Sequence, residues 1–494
     1  MDIALERKFL STFKSICSAD HICDLSADIV VPDTKEDILR IVYTNAKYKI
    51  RSKDVESGKL IIRGELEVNS AYVPETGAKI ELLRTDIPFE CEFENDNIES
   101  GCASVCDIKL LTLESRILNP RKIMISAQLL VCGKCYRIED FTWYEKPMEN
   151  VSKVFFKNDS VDARLISVVS EKTFSLEDDF EVSGLKDDAQ IITADTEFFA
   201  DSSDAVGSKL IVKGHTEISV LYVNDGKIEK AEKTIGFSQI FELTERDVVP
   251  EFTVSVLPTG DFFEISDGRI SYEIHAVMQI VCSDTRKISY LSDAYACRAE
   301  MQLTTDSQNI CINQQSAECR EKIQLTFTSE SDIAAIENVS VKYGNLKLSE
   351  DEISVPVYAD IIYTSIDGQL RSGRTHSSVK LSTAEGNGGY DAVNVDISGV
   401  RASINGKEIN MSADAVANLS WYENKQVRMI TAASVEEISE AEPMPSIYMC
   451  RAADNDLWSL AKRYKSDAAM ISELNDLDES SSFSDILLLI PRIK

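Results

Sequence analysis

The chain has 494 residues, with 83 acidic against 52 basic side chains and a formal charge of −31. At about 150 residues per domain this length allows roughly three domains, each able to bury a core. Apolar content of 44% excludes a disordered chain, 20 Gly and 11 Pro exclude collagen-like or linker-dominated designs, and so acidic a surface repels phosphate backbones and anionic lipid.

Residues 1–24 form an N-terminal segment. Its first ten residues carry charges where a signal peptide needs an apolar centre, and no run approaches the roughly 18 apolar residues of a membrane span. The chain therefore reads as cytosolic, where its 12 Cys stay reduced and serve as small core residues. The four histidines are scattered, which weakens any His-centred chemistry. Short helices are expected near the N-terminus and over Thr34–Thr44, where Asp33 or Thr34 can cap and Ile38, Ile41 and Val42 follow helical spacing.

A long-period repeat follows. Lys59–Val73 and Lys209–Val223 match in phase, with Leu60 opposite Leu210, Gly64 opposite Gly214 and Tyr72 opposite Tyr222. A weaker third copy, Glu352–Thr364, puts Tyr363 in the tyrosine position. Each copy then has a second block of alternating apolar residues: Ile117–Ala127, Phe263–Val277 and Ala402–Trp421. Asn119-Pro120, Asp267-Gly268 and Asn405-Gly406 mark turns in these blocks. The expected fold is mainly β: three tandem β-sandwich or barrel-like units over 25–150, 165–300 and 315–435, the last divergent. The acidic, Pro-bearing stretch 436–445 reads as a linker.

The remaining residues, 446–494, change period to strand, helix, helix, strand. Ile447–Cys450 is a short strand, and Asp454 or Asn455 can cap a helix over Leu457–Tyr464. Leu457, Leu460, Ala461 and Tyr464 share its buried face. Ser466 or Asp467 caps a second helix with Met470, Leu474 and Leu477 on the inner side, and Leu487–Ile490 is a strand stopped by Pro491. Trp458 lies about 100° from the buried face, as either a rim residue sealing the core or an aromatic contact for a partner. Asn475 suits a cap after the second helix.

Other chemistry-bearing groups are sparse. Cys102, Cys106, Cys132 and Cys135 are four thiols close in sequence, a weak zinc candidate or incidental core residues. The Cys132-Gly-Lys-Cys135 stretch falls where the repeats suggest a hairpin turn, and a redox pair would need a helix N-terminus that the β pattern lacks. Acidic pairs such as Asp187-Asp188 read as solvated loops, and Gly386-Asn-Gly-Gly389 lacks the Lys-Ser/Thr of a phosphate loop. No catalytic constellation or cofactor motif emerges.

Leu457-Trp458, Ala461–Tyr464, Leu474-Asn475 with Leu477, and Leu489-Ile490-Pro491 resemble a LysM domain. That family binds N-acetylglucosamine glycans through loops before the first helix and the last strand. Here those loops carry Asp454-Asn455-Asp456 and Ser484-Asp485 in place of the usual Gly-Asp-Thr and Pro-Gly. Glycine permits close backbone approach and these residues do not, which favours a protein ligand. The block Ile29–Ile41, followed by Gly58–Gly64 and Tyr72–Glu75, resembles the SPOCS domain (DUF3794) of SipL-type spore coat morphogenesis proteins, which carry several such units before a LysM domain. The resemblance implies a non-enzymatic assembly factor in the mother-cell cytoplasm at the forespore surface. It would dock through its LysM domain onto the ATPase of the coat's basement layer and scaffold other coat proteins. Ile447, Leu457, Trp458 and Asn475 are the candidate partner-binding residues. The alternative is a peptidoglycan-binding protein of the cortex or wall.

Overall fold

The computed structural model describes residues 1–77, 80–243, 251–349, 352–382, 392–437, 446–451, 456–477 and 486–493. Gly386–Gly389, residues 438–445 of the expected linker, Asp454-Asn455 and Ser484-Asp485 lie outside the described residues.

The chain folds as one strand pattern used three times. After β1 (Asp2–Ile3), the first unit runs β2 (Leu5–Val30), β3 (Ile38–Glu56), β4 (Lys59–Pro74), β5 (Glu81–Glu94), β6 (Ala103–Asn119) and β7 (Lys122–Pro147). The second runs β8 (Val154–Glu181), β9 (Gln190–Val206), β10 (Lys209–Asn224), β11 (Lys227–Glu242), β12 (Glu251–Ser266) and β13 (Arg269–Ala296). The third runs β14 (Ala299–Thr328), β15 (Ile333–Tyr343), β16 (Lys347–Leu348), β17 (Glu352–Ser365), β18 (Leu370–Ser382), β19 (Ala392–Asn405) and β20 (Glu408–Glu437). A tail follows: β21 (Ile447–Arg451), α1 (Leu457–Tyr464), α2 (Ala468–Leu474) and β22 (Leu487–Pro491), with β21 antiparallel to β22. The mainly β expectation holds.

In each unit a short antiparallel sheet, β3-β4-β5, β9-β10-β11 or β15-β17-β18, faces a sheet of longer strands, β2-β7-β6, β8-β13-β12 or β14-β20-β19. The core lies between them, as in a sandwich. Leu60, Ile62, Phe89, Ile125 and Leu129 fill the first core, and Ile353, Val355, Ile409 and Ala415 the third.

Three expectations are corrected. The helices at the N-terminus and at Thr34–Thr44 are absent: β2 occupies the first position, and a turn leading into β3 the second. β2 pairs with β7 along almost its whole length, so residues 1–24 belong to the first unit rather than to a separate segment. Likewise β8 and β14 begin ahead of 165 and 315. The local 3.6-residue pattern lost because a cross-strand partner satisfies every backbone group that an isolated short helix would satisfy poorly. Third, two turns sit one residue later than expected. Gly406-Lys407 joins β19 to β20 with Gly406 at φ 61°, and Pro120-Arg121 joins β6 to β7, while Asp267-Gly268 does turn with both φ values positive.

The repeated glycine has a physical reason. Gly64 pairs with Phe89 and Gly214 with Phe237, and each phenyl ring lies across its glycine. A Cβ at Gly64 would sit 2.4 Å from Phe89 Cζ, and one at Gly214 would sit 2.2 Å from the Phe199 carbonyl oxygen. In the third unit the equivalent pair is Val355 with Val379, which packs the same space differently.

The units are not beads on a string. Ala71, Leu221 and Ile362, each just before the repeated tyrosine, meet in one buried cluster with Val42, Ile192 and Ile228, against which Val73, Ile80, Val223 and Leu370 pack. Equivalent residues of three repeats thus converge around a quasi-three-fold axis. Beside it, Asn45 donates to Thr193 Oγ1 at 3.0 Å and Asp195 Oδ1 at 2.7 Å and accepts from Lys342 Nζ at 3.2 Å, linking all three units. A buried ion cluster joins the first two: Asp261 faces Lys47 and, at 2.8 Å, Lys49, and Glu67 faces Lys49 at 2.5 Å and Lys47 at 3.5 Å. At the long-strand end, Phe141 and Trp143, Val161 and Tyr290, and Val427 and Met429 form another three-unit core. β1 pairs with β20, so the first unit's leading residues also extend the third unit's sheet.

Candidate partner-docking site

The tail packs around a few apolar side chains. Ala461, Ile471, Leu488 and Ile490 are almost fully buried, and Leu457, Leu460 and Tyr464 pack against them. Asp456, not Asp454 or Asn455, caps α1: its carboxylate accepts from Trp458 N at 3.1 Å and Ser459 N at 3.2 Å. The Ser459 hydroxyl donates to the same carboxylate and, with those backbone bonds, holds the Asp456 carboxyl below its ordinary range. Asp467 caps α2, accepting from Ala469 N at 2.8 Å. Lys465 adopts a left-handed φ of 52° and closes α1. The inner side of α2 is Ile471 and Ala468, not Met470 and Leu474, which are exposed; Leu477 does pack inward on Leu488. A helix this short starting at Ala468 turns position 471 inward, one residue from the expected stripe.

The four candidate residues do not share one surface. Ile447 stands exposed on the outer face of β21 with Met449, and Leu487 of β22 is also exposed. Leu457 packs into the module's core beside Leu488. Asn475 is spent within the module: its Nδ2 donates to the Ile471 carbonyl at 2.8 Å and the Leu489 carbonyl at 2.6 Å, and its Oδ1 accepts from Leu489 N at 2.8 Å. It clamps the end of α2 to β22.

Trp458 leaves the tail and binds the second unit. Its indole Nε1–H donates to Asp293 Oδ2 at 2.9 Å, and its ring stands edge-on to Tyr295 with centroids 4.9 Å apart. One helical turn on, Lys462 Nζ reaches Asp293 Oδ1 at 2.5 Å. The Tyr295 hydroxyl donates to the Ser466 carbonyl at 2.8 Å, and the Cys297 thiol approaches the same oxygen at 3.6 Å. Tyr295 stacks on Phe155 at the start of β8. A β-bulge aims the carboxylate: pairing of β13 with β8 skips Ser292, immediately before Asp293. Burial alone would raise the Asp293 carboxyl, but Lys462 and Trp458 outweigh it and hold it below its ordinary value.

Asp293, Tyr295, Cys297 and Lys462 were not singled out from sequence. The available signal was that Asp293–Cys297 differs from the corresponding stretch of the first unit, Lys146–Asn150.

The cysteine cluster is spread along the neighbouring strands β6 and β7 and the residue ahead of β6. Cys132 and Cys135 lie inside β7 rather than at a turn, and their odd spacing puts them on opposite faces. Cys135 pairs with Cys17 and Ser104, Cys132 with Asp20 and Asp107. Burial pushes the Cys106 and Cys135 thiols up to about 12 and Cys132 higher still. Among the described residues no group of three or more His, Cys, Asp or Glu side chains is placed to hold a metal ion. Among them, too, no helix is long and apolar enough to cross a membrane.

The family model described as SipL, SPOCS domain matches residues 37–118 and 187–258. The matches cover the short sheets of the first and second units, with nearly all of β6 in the first and the first half of β12 in the second. The third unit, which is not matched, repeats the same strand order. No curated protein and no solved structure matches the chain.

Proposed function

The chain is a SipL-type SPOCS protein with a spore-related role, and from that premise we propose that it is a non-enzymatic assembly factor of the spore envelope. Its body of three β units is a rigid scaffold for coat proteins. Its βααβ tail, read as a LysM domain, is the element that engages the ATPase of the coat's basement layer, in the mother-cell cytoplasm at the forespore surface. The observation that carries this reading is the match to the SipL model in two of the three units, in a chain that ends in a βααβ module. Trp458 supports a protein ligand, since a Trp indole is a favoured anchor in protein interfaces.

The test is binding of the full chain, and of a chain ending before 446, to the purified basement-layer ATPase, beside co-sedimentation with peptidoglycan. Tail-dependent capture of the ATPase with no sedimentation supports the proposal. Tail-dependent sedimentation with no ATPase binding replaces it with the glycan reading.

A further inference from the structure

We propose that the tail is held in a closed state by the Asp293–Tyr295–Cys297 corner of the second unit, and that partner capture competes with this intramolecular contact. This inference rests on the reading of the tail as the partner-binding element. Four observations converge on it. First, Trp458 and Lys462, one turn apart on α1, share the single carboxylate of Asp293. Second, the Tyr295 hydroxyl reaches the Ser466 carbonyl, in the turn between α1 and α2, so the corner grips the backbone as well as side chains. Third, Tyr295 and Cys297 are 5% exposed and belong to the same apolar cluster as Ala461, Ile471 and Ile490, so body and tail share one core. Fourth, the corner is a bulged strand that departs from the regular ladder at Ser292.

The contact is small and polar at its edge. Lys462 is 44% exposed and Asp293 29% exposed at the side chain, so water reaches the ion pair from one side. A contact of this kind opens without unfolding either partner, unlike the buried joints between units. While it is closed, the indole N–H and one ring edge of Trp458 are occupied, and a partner that uses that indole must displace Asp293. The apparent affinity of a partner is then reduced by the fraction of open molecules, and weakening the contact restores it.

The test uses the full chain, with Asp293→Ala removing the shared carboxylate and Tyr295→Phe removing only the hydroxyl. Closure is read by mass-mapped alkylation of Cys297, which lies beneath the tail, and partner capture by titration with the basement-layer ATPase. We expect both variants to speed alkylation of Cys297, and to tighten ATPase binding by about fivefold or more for Asp293→Ala. Adding the ATPase to the unaltered chain should also speed that alkylation. Faster alkylation with unchanged or weaker ATPase binding overturns the competition. Unchanged alkylation in both variants overturns the closed state itself. If no chain binds the ATPase while alkylation still responds to the variants, the functional reading falls and the competition with it, while the corner's grip on the tail stands separately measured.

Discussion

Replacing Asp261 by Asn tests whether the first two units are one body. Asp261 reaches from β12 of the second unit to Lys47 and Lys49 on β3 of the first, and its side chain is 6% exposed. Glu67 supplies the second carboxylate paired with these two lysines. Asp261→Asn keeps the shape but leaves two ammonium groups facing one carboxylate. At these separations, with an effective dielectric of about 20, each lost contact is a gross attraction of about 6 kcal/mol, most of it offset by desolvation. Breaking a buried pair from one side costs about 3–5 kcal/mol in measured cases. Lys47 is 18% and Lys49 11% exposed, so water softens the imbalance and the lower end, about 3 kcal/mol, is expected. Equilibrium urea unfolding at neutral pH measures it. Adding Lys49→Met rebalances the cluster and should recover at least about 1 kcal/mol of the loss. A cost below about 1 kcal/mol for Asp261→Asn, the range of exposed pairs, would refute the argument that this joint is buried and coupled.

The same cluster sets an acid limb. Glu67 has its pKa lowered from 4.5 to about 2: burial works against this, and Lys47, Lys49 and Asn69 outweigh it. A depressed folded value means the stabilisation is present above 4.5 and drains away as pH falls toward about 2, a limb that Glu67→Gln should flatten in urea midpoints measured across that window. Gly214→Ala should cost about 3 kcal/mol in thermal unfolding, because the new methyl meets a backbone oxygen as well as Phe237. Gly236→Ala, whose nearest atom would be 3.9 Å away, is the near-neutral control, and equal effects would refute the close-approach explanation. Asn475→Ala removes three hydrogen bonds, two of them tying the end of α2 to β22, and should cost about 2 kcal/mol locally, seen as faster hydrogen exchange in β22 with β3–β5 unaffected.

The repeat made the architecture legible. Phase-matched Leu60 and Leu210, Gly64 and Gly214, and Tyr72 and Tyr222 encode the same strand against the same neighbours, so two copies of the pattern validate each other. The tail's order of strand, helix, helix and strand was equally readable, because caps and apolar spacing act locally, although the cap of α1 fell on Asp456 and the inner face of α2 on Ile471. What stayed hidden was every decision made by distant residues. Residues 38–42 have helical spacing, yet Ile38 pairs with Pro74 and Ile41 with Tyr72, partners no local window contains. The burial of Ser70 and Ala71 makes sense only when β4 is covered on both faces, by its own core and by the neighbouring units. Trp458 was rightly placed at the edge of a helix face, but the group that meets it, Asp293, lies in another unit.

The three units are alike where they meet and unlike where the tail docks, and that contrast explains why only one of them receives it. Near the axis, the third unit keeps an apolar residue before its tyrosine although it has lost the glycine and phenylalanine of the other two. The joint therefore depends on what faces the axis, not on how each sandwich fills its interior. At the far end of the long sheets the chemistry diverges. Phe141 and Trp143 of the first unit enter the same core as their counterparts Ile288 and Tyr290 of the second, and beyond them the first unit carries Lys146, Met148 and Asn150. The second presents Asp293, Tyr295 and Cys297, a carboxylate, a hydroxyl and a thiol that this shared apolar core would leave without partners. α1 and the turn after it supply an indole N–H, an ammonium and a backbone carbonyl in complementary positions. A quasi-symmetric body thus acquires one polar corner, and polar matching assigns the tail to it.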